Sequence, residues 1–148
     1  MDMERLEVLK KSYLFAGASS DDLQALAGIV ERKTYIAGDL VHSEGDVADA
    51  MYFVEMGAVD VVPKGKETVF GTIGGGQGFG ELSFFEPGVR PASATTRERT
   101  YLLRISYERL AKVLAERPAL ALLVYRNACA FFAKHLRMMA LSLNHRYL

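Results

Sequence analysis

The apolar positions change period twice along the chain, and each change marks a boundary. Over residues 2–14, Leu6, Leu9 and Tyr13 recur at helical spacing and predict a helix with one apolar face. "ASSDDLQALAGIV" predicts a second helix. Ser19 is its N-cap, Asp22 follows three residues later, acids fill the first turn, and Leu23, Leu26 and Ala27 recur on one face. After Glu31 the helical period is lost. Short β-rich runs at 35–36, 40–42, 51–54, 58–62 and 68–73 alternate with Gly- and Asp-bearing turns at 37–39, 44–46, 56–57 and 64–66. "PASATTRERTYLLRIS" supplies the last strands. From Tyr107 the helical period returns, with a break at Pro118.

Closely spaced strands without interleaved helices predict a mainly β domain, a barrel or jelly-roll, and argue against a parallel α/β sheet. The last helix carries Leu122, Tyr125, Cys129, Phe132, Leu136, Met139 and Leu143 at alternating three- and four-residue steps, a heptad seam. Val124, Ala128, Phe131 and Met138 form a second apolar stripe. One stripe is expected to cover the domain's own core. The other is expected to meet a second copy in a symmetric homodimer.

Composition narrows the function classes. The 148 residues fit a single domain, and 18 basic residues balance 18 acidic ones. No broad basic surface for nucleic acid is predicted. Cys129 is the only cysteine, which excludes an intrachain disulfide and points to a reducing, cytoplasmic setting. The charged N-terminus lacks the apolar core of a secretion signal. Arg126, Lys134, His135 and Arg137 interrupt the apolar stretch 119–143, so no membrane span is expected. His42, His135 and His145 are far apart, and only His42 falls in the β region, where it reads as facing solvent or a loop. No metal cluster follows from that spacing. Cys129 reads as buried packing. No nucleophile–base pair or paired general acid and base is visible, so no enzyme is expected.

The chemistry concentrates in "GELSFFEPGVRPASA", residues 80–94. Gly74, Gly75, Gly76, Gly78 and Gly80 let backbone approach a ligand. Residues 81–85 can form a short helical turn whose free N–H groups face an anion. Arg90 can add a charge-assisted bond to a phosphate. Glu81 would repel a phosphate, but it suits a hydroxyl donor such as a ribose. A ligand with one phosphate and one ribose satisfies both residues. A Glu81–Arg90 ion pair is the plain alternative. No G-x-x-x-x-G-K-[ST] motif is present, which excludes a nucleoside-triphosphate loop of that kind.

The blocks "SYLFAGASSDDLQALAGIV", "IAGDLVHSEGDVADAMYFVEMGAVDVV" and "GGGQGFGELSFFEPGVRPASATT" resemble, in that order, the cyclic-nucleotide-binding domain family. That family includes the catabolite activator proteins, the regulatory subunits of cAMP-dependent kinase and cyclic-nucleotide-gated channels. The resemblance spans about residues 13–105. It implies an eight-stranded β-roll (a double-stranded β-helix or jelly-roll) with N-terminal helices and a long C-terminal helix. The implied single domain, 1–148, divides into helices at 1–31, a roll at 32–106 with a phosphate cassette at 79–94, and C-terminal helices at 107–147. It further implies that Glu81 accepts the ribose 2′-OH and Arg90 holds the cyclic phosphate. Backbone N–H groups near Gly80, Leu82 and Ala92 complete the cradle. Counting along the last helix places base-side contacts at Lys134, His135 and Met138. Family frequency puts cAMP ahead of cGMP as ligand. The implied module needs no cofactor and signals to an effector protein by repositioning its C-terminal helix. Too few residues follow that helix for a helix-turn-helix, so no contact with nucleic acid is expected.

One departure stands inside the cassette. Val89 precedes Arg90 where the family usually has proline, and Pro91 follows it where a small residue donates its N–H. Pro91 has no N–H to give. The missing charge-assisted bond is worth about 1.5–3 kcal/mol. The alternative is therefore a degenerate cassette in a dimerisation or protein-interaction module.

Overall fold

The computed structural model describes residues 3–63, 65, 69 and 71–143. Helix α1 spans Met3–Lys11 and stops short of the expected boundary. The extended Ser12 accepts a hydrogen bond from the Leu14 N–H at 3.3 Å and starts a separate 3-10 turn, Tyr13–Phe15. Tyr13 therefore belongs to that turn and not to the face of α1. Helix α2, Ser20–Ala27, begins as predicted, with the Ser19 hydroxyl accepting from the Asp22 N–H at 3.1 Å.

Eight strands follow in two antiparallel sheets, the β-roll that the family resemblance implied. They are β1 (Val30–Tyr35), β2 (Leu40–His42), β3 (Ala50–Met56), β4 (Ala58–Val62), β5 (Gly71–Gly74), β6 (Gly78–Phe79), β7 (Ser93–Thr96) and β8 (Thr100–Ser106). The sheet orders are β1-β8-β3-β6 and β2-β7-β4-β5. β1 begins at Val30, ahead of the boundary read from the sequence. Its exposed Arg32, Lys33 and Thr34 hide it from an apolar pattern, and continuous pairing with β8 makes it a strand. Thr68 and Phe70 of the expected 68–73 run, and Lys64 and Lys66 of the expected turn, lie outside the described residues. Gly57, between β3 and β4, has φ +100°, and a Cβ there would lie 2.4 Å from Thr100 Oγ1. Only glycine fits that position.

Period-two alternation along β3 and β8 separates two cores. Met51, Phe53, Leu103 and Ile105 face the helices, where they meet Leu9, Phe15, Leu26, Leu110 and Val124. Tyr52, Val54 and Leu102 face the inside of the roll with Val59 and Phe79. Helix α4, Tyr107–Glu116, is capped by Ser106, and α5, Pro118–Ser142, opens on its proline. Leu120, Val124 and Ala128 are the buried stripe of α5. Asn127 fixes its height, donating through Nδ2 to the Leu14 and Ala16 carbonyls at 2.9 Å each. Asn127→Ala leaves both carbonyls without this donor and is expected to lower stability by about 1–3 kcal/mol in urea unfolding.

That docking turns the heptad seam outward. Leu122, Tyr125, Cys129, Leu136, Met139 and Leu143 are exposed, and Phe132 is half-buried. Cys129 is thus not buried packing. It lies one residue round the helix from buried Ala128, on the outer face. Of the second stripe, Val124 and Ala128 are buried and Met138 is exposed. His145 lies outside the described residues. Among the described residues no helix is long and apolar enough to cross a membrane.

Candidate functional site

The cassette folds between β6 and β7 around the short helix α3, Leu82–Phe85. Its first N–H groups have no partner within the helix. Gly80 precedes it at φ +80°, and a Cβ there would lie 2.7 Å from Arg90 Nη1. The glycine therefore lets the guanidinium lie against the cassette backbone.

Arg90 is held from both ends. Its N–H donates to the Asp46 carbonyl at 2.7 Å, and its carbonyl accepts from the Gly45 N–H at 2.9 Å. The Val47–Val89 bridge extends that pairing. At the other end Nη2 donates to the Ala50 carbonyl at 2.7 Å, and the guanidinium stands 5.8 Å from the centroid of the Tyr52 ring. The residue is only 3% exposed. Its nearest carboxylate is Asp49, 3.8 Å away, which is mostly in solvent. A buried guanidinium with one distant, screened counter-charge and several N–H donors is chemically suited to hold an anion.

Glu81 is not that counter-charge: among the described ion pairs it has none with Arg90. Tyr107 lies within electrostatic reach of both. Its hydroxyl donates to the Gly80 carbonyl, and its pKa is raised first by burial, with Arg90 lowering and Glu81 raising it. Burial likewise raises the Glu81 carboxyl above its ordinary value. The Tyr13 hydroxyl is buried beside Glu81 without a partner in hydrogen-bonding geometry. Burial first, and then the Glu81 charge, push that phenol up. Tyr13 stacks on Phe131 of α5 with ring centroids 3.7 Å apart.

One cavity of about 370 Å³ brings Glu81 and Arg90 together. It is lined by Gly80, Glu81, Leu82, Arg90, Pro91 and Ala92, the six residues singled out in the sequence, and by His42, Val61 and Phe79. Its size lies within the range of about 300–1,000 Å³ usual for small-molecule sites. Lys134, His135 and Met138 do not line it, and all three are exposed on α5. Counting gave a helix position but not the point where α5 passes the cassette. That point lies earlier: Phe85 of α3 meets Tyr125 at 5.6 Å and Phe132 at 5.5 Å.

His42 corrects a second expectation. It faces the cavity and not the solvent, with its ring 6.1 Å from Phe79. The β2–β7 pairing shifts register between Leu40 and His42. That irregularity breaks strict alternation, so the interior-packing Val41 and the cavity-lining His42 are sequence neighbours. Burial first, and then the Arg90 charge, push the imidazole down to about 4. Tyr52 and Tyr107 were also missed, because their partners lie far away in sequence. Among the described residues no group of three His, Cys, Asp or Glu could hold a metal ion.

The family description "Cyclic nucleotide-binding domain" matches residues 32–117. A CRP-like cAMP-activated global transcriptional regulator of Mycobacterium tuberculosis is 30% identical over 118 residues, which cover 78% of this chain and 53% of the regulator. A cyclic AMP receptor protein of Thermus thermophilus is 31% identical over 139 residues, covering 92% of this chain and 62% of the relative. The chain thus spans between half and two thirds of these relatives. The crystal structure of the N-terminal domain of a transcriptional regulator from Streptomyces coelicolor superposes with TM-score 0.79 at 30% identity, covering 86% of this chain and 94% of that one.

Proposed function

The chain belongs to the cyclic nucleotide-binding domain family, and we propose that it is a non-enzymatic regulatory module whose cup binds a cyclic nucleotide, cAMP in preference to cGMP. The observation that carries this reading is Arg90, buried at the cavity wall with only the solvent-exposed Asp49 carboxylate, 3.8 Å away, as its ion-pair partner among the described residues. A cyclic phosphodiester bears a single negative charge, which matches one guanidinium. Glu81, on the same cavity, is the acceptor for the ribose 2′-OH. The names of the two curated relatives, one cAMP-activated and one a cyclic AMP receptor, favour adenine.

The signal would leave through the rings that join the cassette to α5. Phe85 touches Tyr125 and Phe132, so a ligand that moves α3 also moves the packing of α5. Such a ligand shifts the helix only by its differential affinity for the two arrangements. The exposed seam of α5 is the surface for a second copy, and the pair would act on an effector protein.

Calorimetric titration with cAMP and cGMP tests the reading on wild type and Pro91→Ala. Wild type is expected to bind both, with cAMP tighter. Pro91→Ala, which restores an N–H beside the phosphate, is expected to bind about tenfold tighter. Failure of wild type to bind either nucleotide would overturn the sensor reading. Binding by Pro91→Ala alone would favour the degenerate cassette, for which the observation is Pro91 itself on the cavity wall.

A further inference from the structure

The cup contains one titratable group that this reading leaves idle. His42 ends β2, stands in register with Ala94 of β7, and lines the cavity together with Arg90 and Pro91. Its Nδ1 is buried and has no hydrogen-bond partner among the described residues. Any polar contact with a guest must therefore run through Nε2. The groups packed around the ring are few. β6 offers the Phe79 ring, β4 offers Val61 and β7 offers Ala94, none of them charged. The charges that reach it are Arg90 from the approach to β7, Asp46 from the turn after β2, and Asp49 ahead of β3.

We propose that His42 is a ligand-contacting residue, donating from Nε2 to an acceptor of the bound nucleotide and taking up a proton from solvent as the nucleotide enters. The proposal rests on the cyclic-nucleotide reading of the same cup. In the empty cup the ring is neutral at physiological pH, because burial and the Arg90 cation both oppose a second positive charge. A phosphodiester seated at Arg90 cancels that cation and adds a negative charge facing the imidazole. Both changes favour the imidazolium. The bound state then holds more protons than the free state, so affinity rises as pH falls. The rise ends near pH 4, where the empty cup's own histidine is protonated. The phosphodiester stays anionic across this range. Glu81, on the same cavity, has its carboxyl raised by burial, and a proton gained there would weaken its hold on the 2′-OH and lower affinity, the opposite sign to the histidine. The new histidine charge also replaces part of what Pro91 cannot donate.

The experiment is calorimetric titration of the full chain with cAMP from about pH 8 to about pH 5.5, in buffers of different ionisation enthalpy. Wild type is expected to gain roughly three- to tenfold in affinity over that range, with buffer-dependent heats that report proton uptake. His42→Phe and His42→Gln are expected to bind at the upper pH and to lose both the rise in affinity toward low pH and the proton uptake. Binding of cAMP by wild type without pH dependence or proton uptake would overturn the role of His42 and leave the sensor reading standing. The same follows if His42→Phe and His42→Gln keep the wild-type profile. No binding by wild type at any pH would overturn both. Should His42→Phe fail to fold, His42→Gln and the wild-type buffer dependence decide the matter.

Discussion

cAMP is expected to stabilise the wild-type protein thermally, and Arg90→Gln is expected to abolish that stabilisation. The site has one buried cation aimed at the cavity, and a cyclic phosphate carries one charge to meet it. Removing the charge leaves the phosphate desolvated against Phe79, Val61 and Ala92 without compensation. The expected loss is about 3 kcal/mol or more, at least about a hundredfold in affinity. Glutamine is two bonds shorter and gives up the contact of Nη2 with the Ala50 carbonyl, 2.7 Å in the native protein, but leaves no buried charge behind. The unliganded melting temperature is the control for the fold. Arg90→Lys supplies the charge without the planar fork and should fall between the two. Ligand-dependent melting shifts measure all three proteins. Full stabilisation of Arg90→Gln would mean that the anion sits elsewhere.

The cassette was legible in the sequence because it is local. Gly80, Glu81 and Arg90 sit within one contiguous stretch, and all three line the same cavity. The rest of the site comes from strand register and closure of the roll. His42 reaches the cavity through a register shift that no alternation pattern reveals. Tyr107 reaches the Gly80 carbonyl only because β8 lies beside β3, which pairs with β6. The C-terminal helix failed in a different way. Its heptad seam was readable, but its height against the roll is set by Asn127 on the Leu14 and Ala16 carbonyls. That anchor brings Phe131 and Phe132 toward the cassette and leaves Lys134, His135 and Met138 outside the cavity. β1 was mostly missed because a strand paired through its backbone needs no apolar residues of its own.

Leu136→Glu is expected to convert a dimer into a monomer without harming the domain. The seam leaves Leu122, Tyr125, Leu136, Met139 and Leu143 exposed along one face of α5, and an exposed apolar stripe of this kind suits a protein partner. Facing copies of that stripe in a two-fold pair would bury it against itself. Leu136 is 65% exposed in the single chain, so the domain's own core does not rely on it. Phe132 is the poorer site for this test, since its ring touches Phe85 at 5.5 Å and a charge there would also disturb the cassette. A carboxylate at 136 would be buried in the pair next to its symmetry mate. That costs about 3–5 kcal/mol and raises the dissociation constant at least about a hundredfold. Sedimentation at micromolar concentration should then show a wild-type dimer and a variant monomer. Urea unfolding of the variant should lose only what dimerisation had added. A wild-type protein that sediments as a monomer would remove the second copy from the account. The apolar face of α5 would then need a different occupant, and the cassette would have to signal through one helix alone.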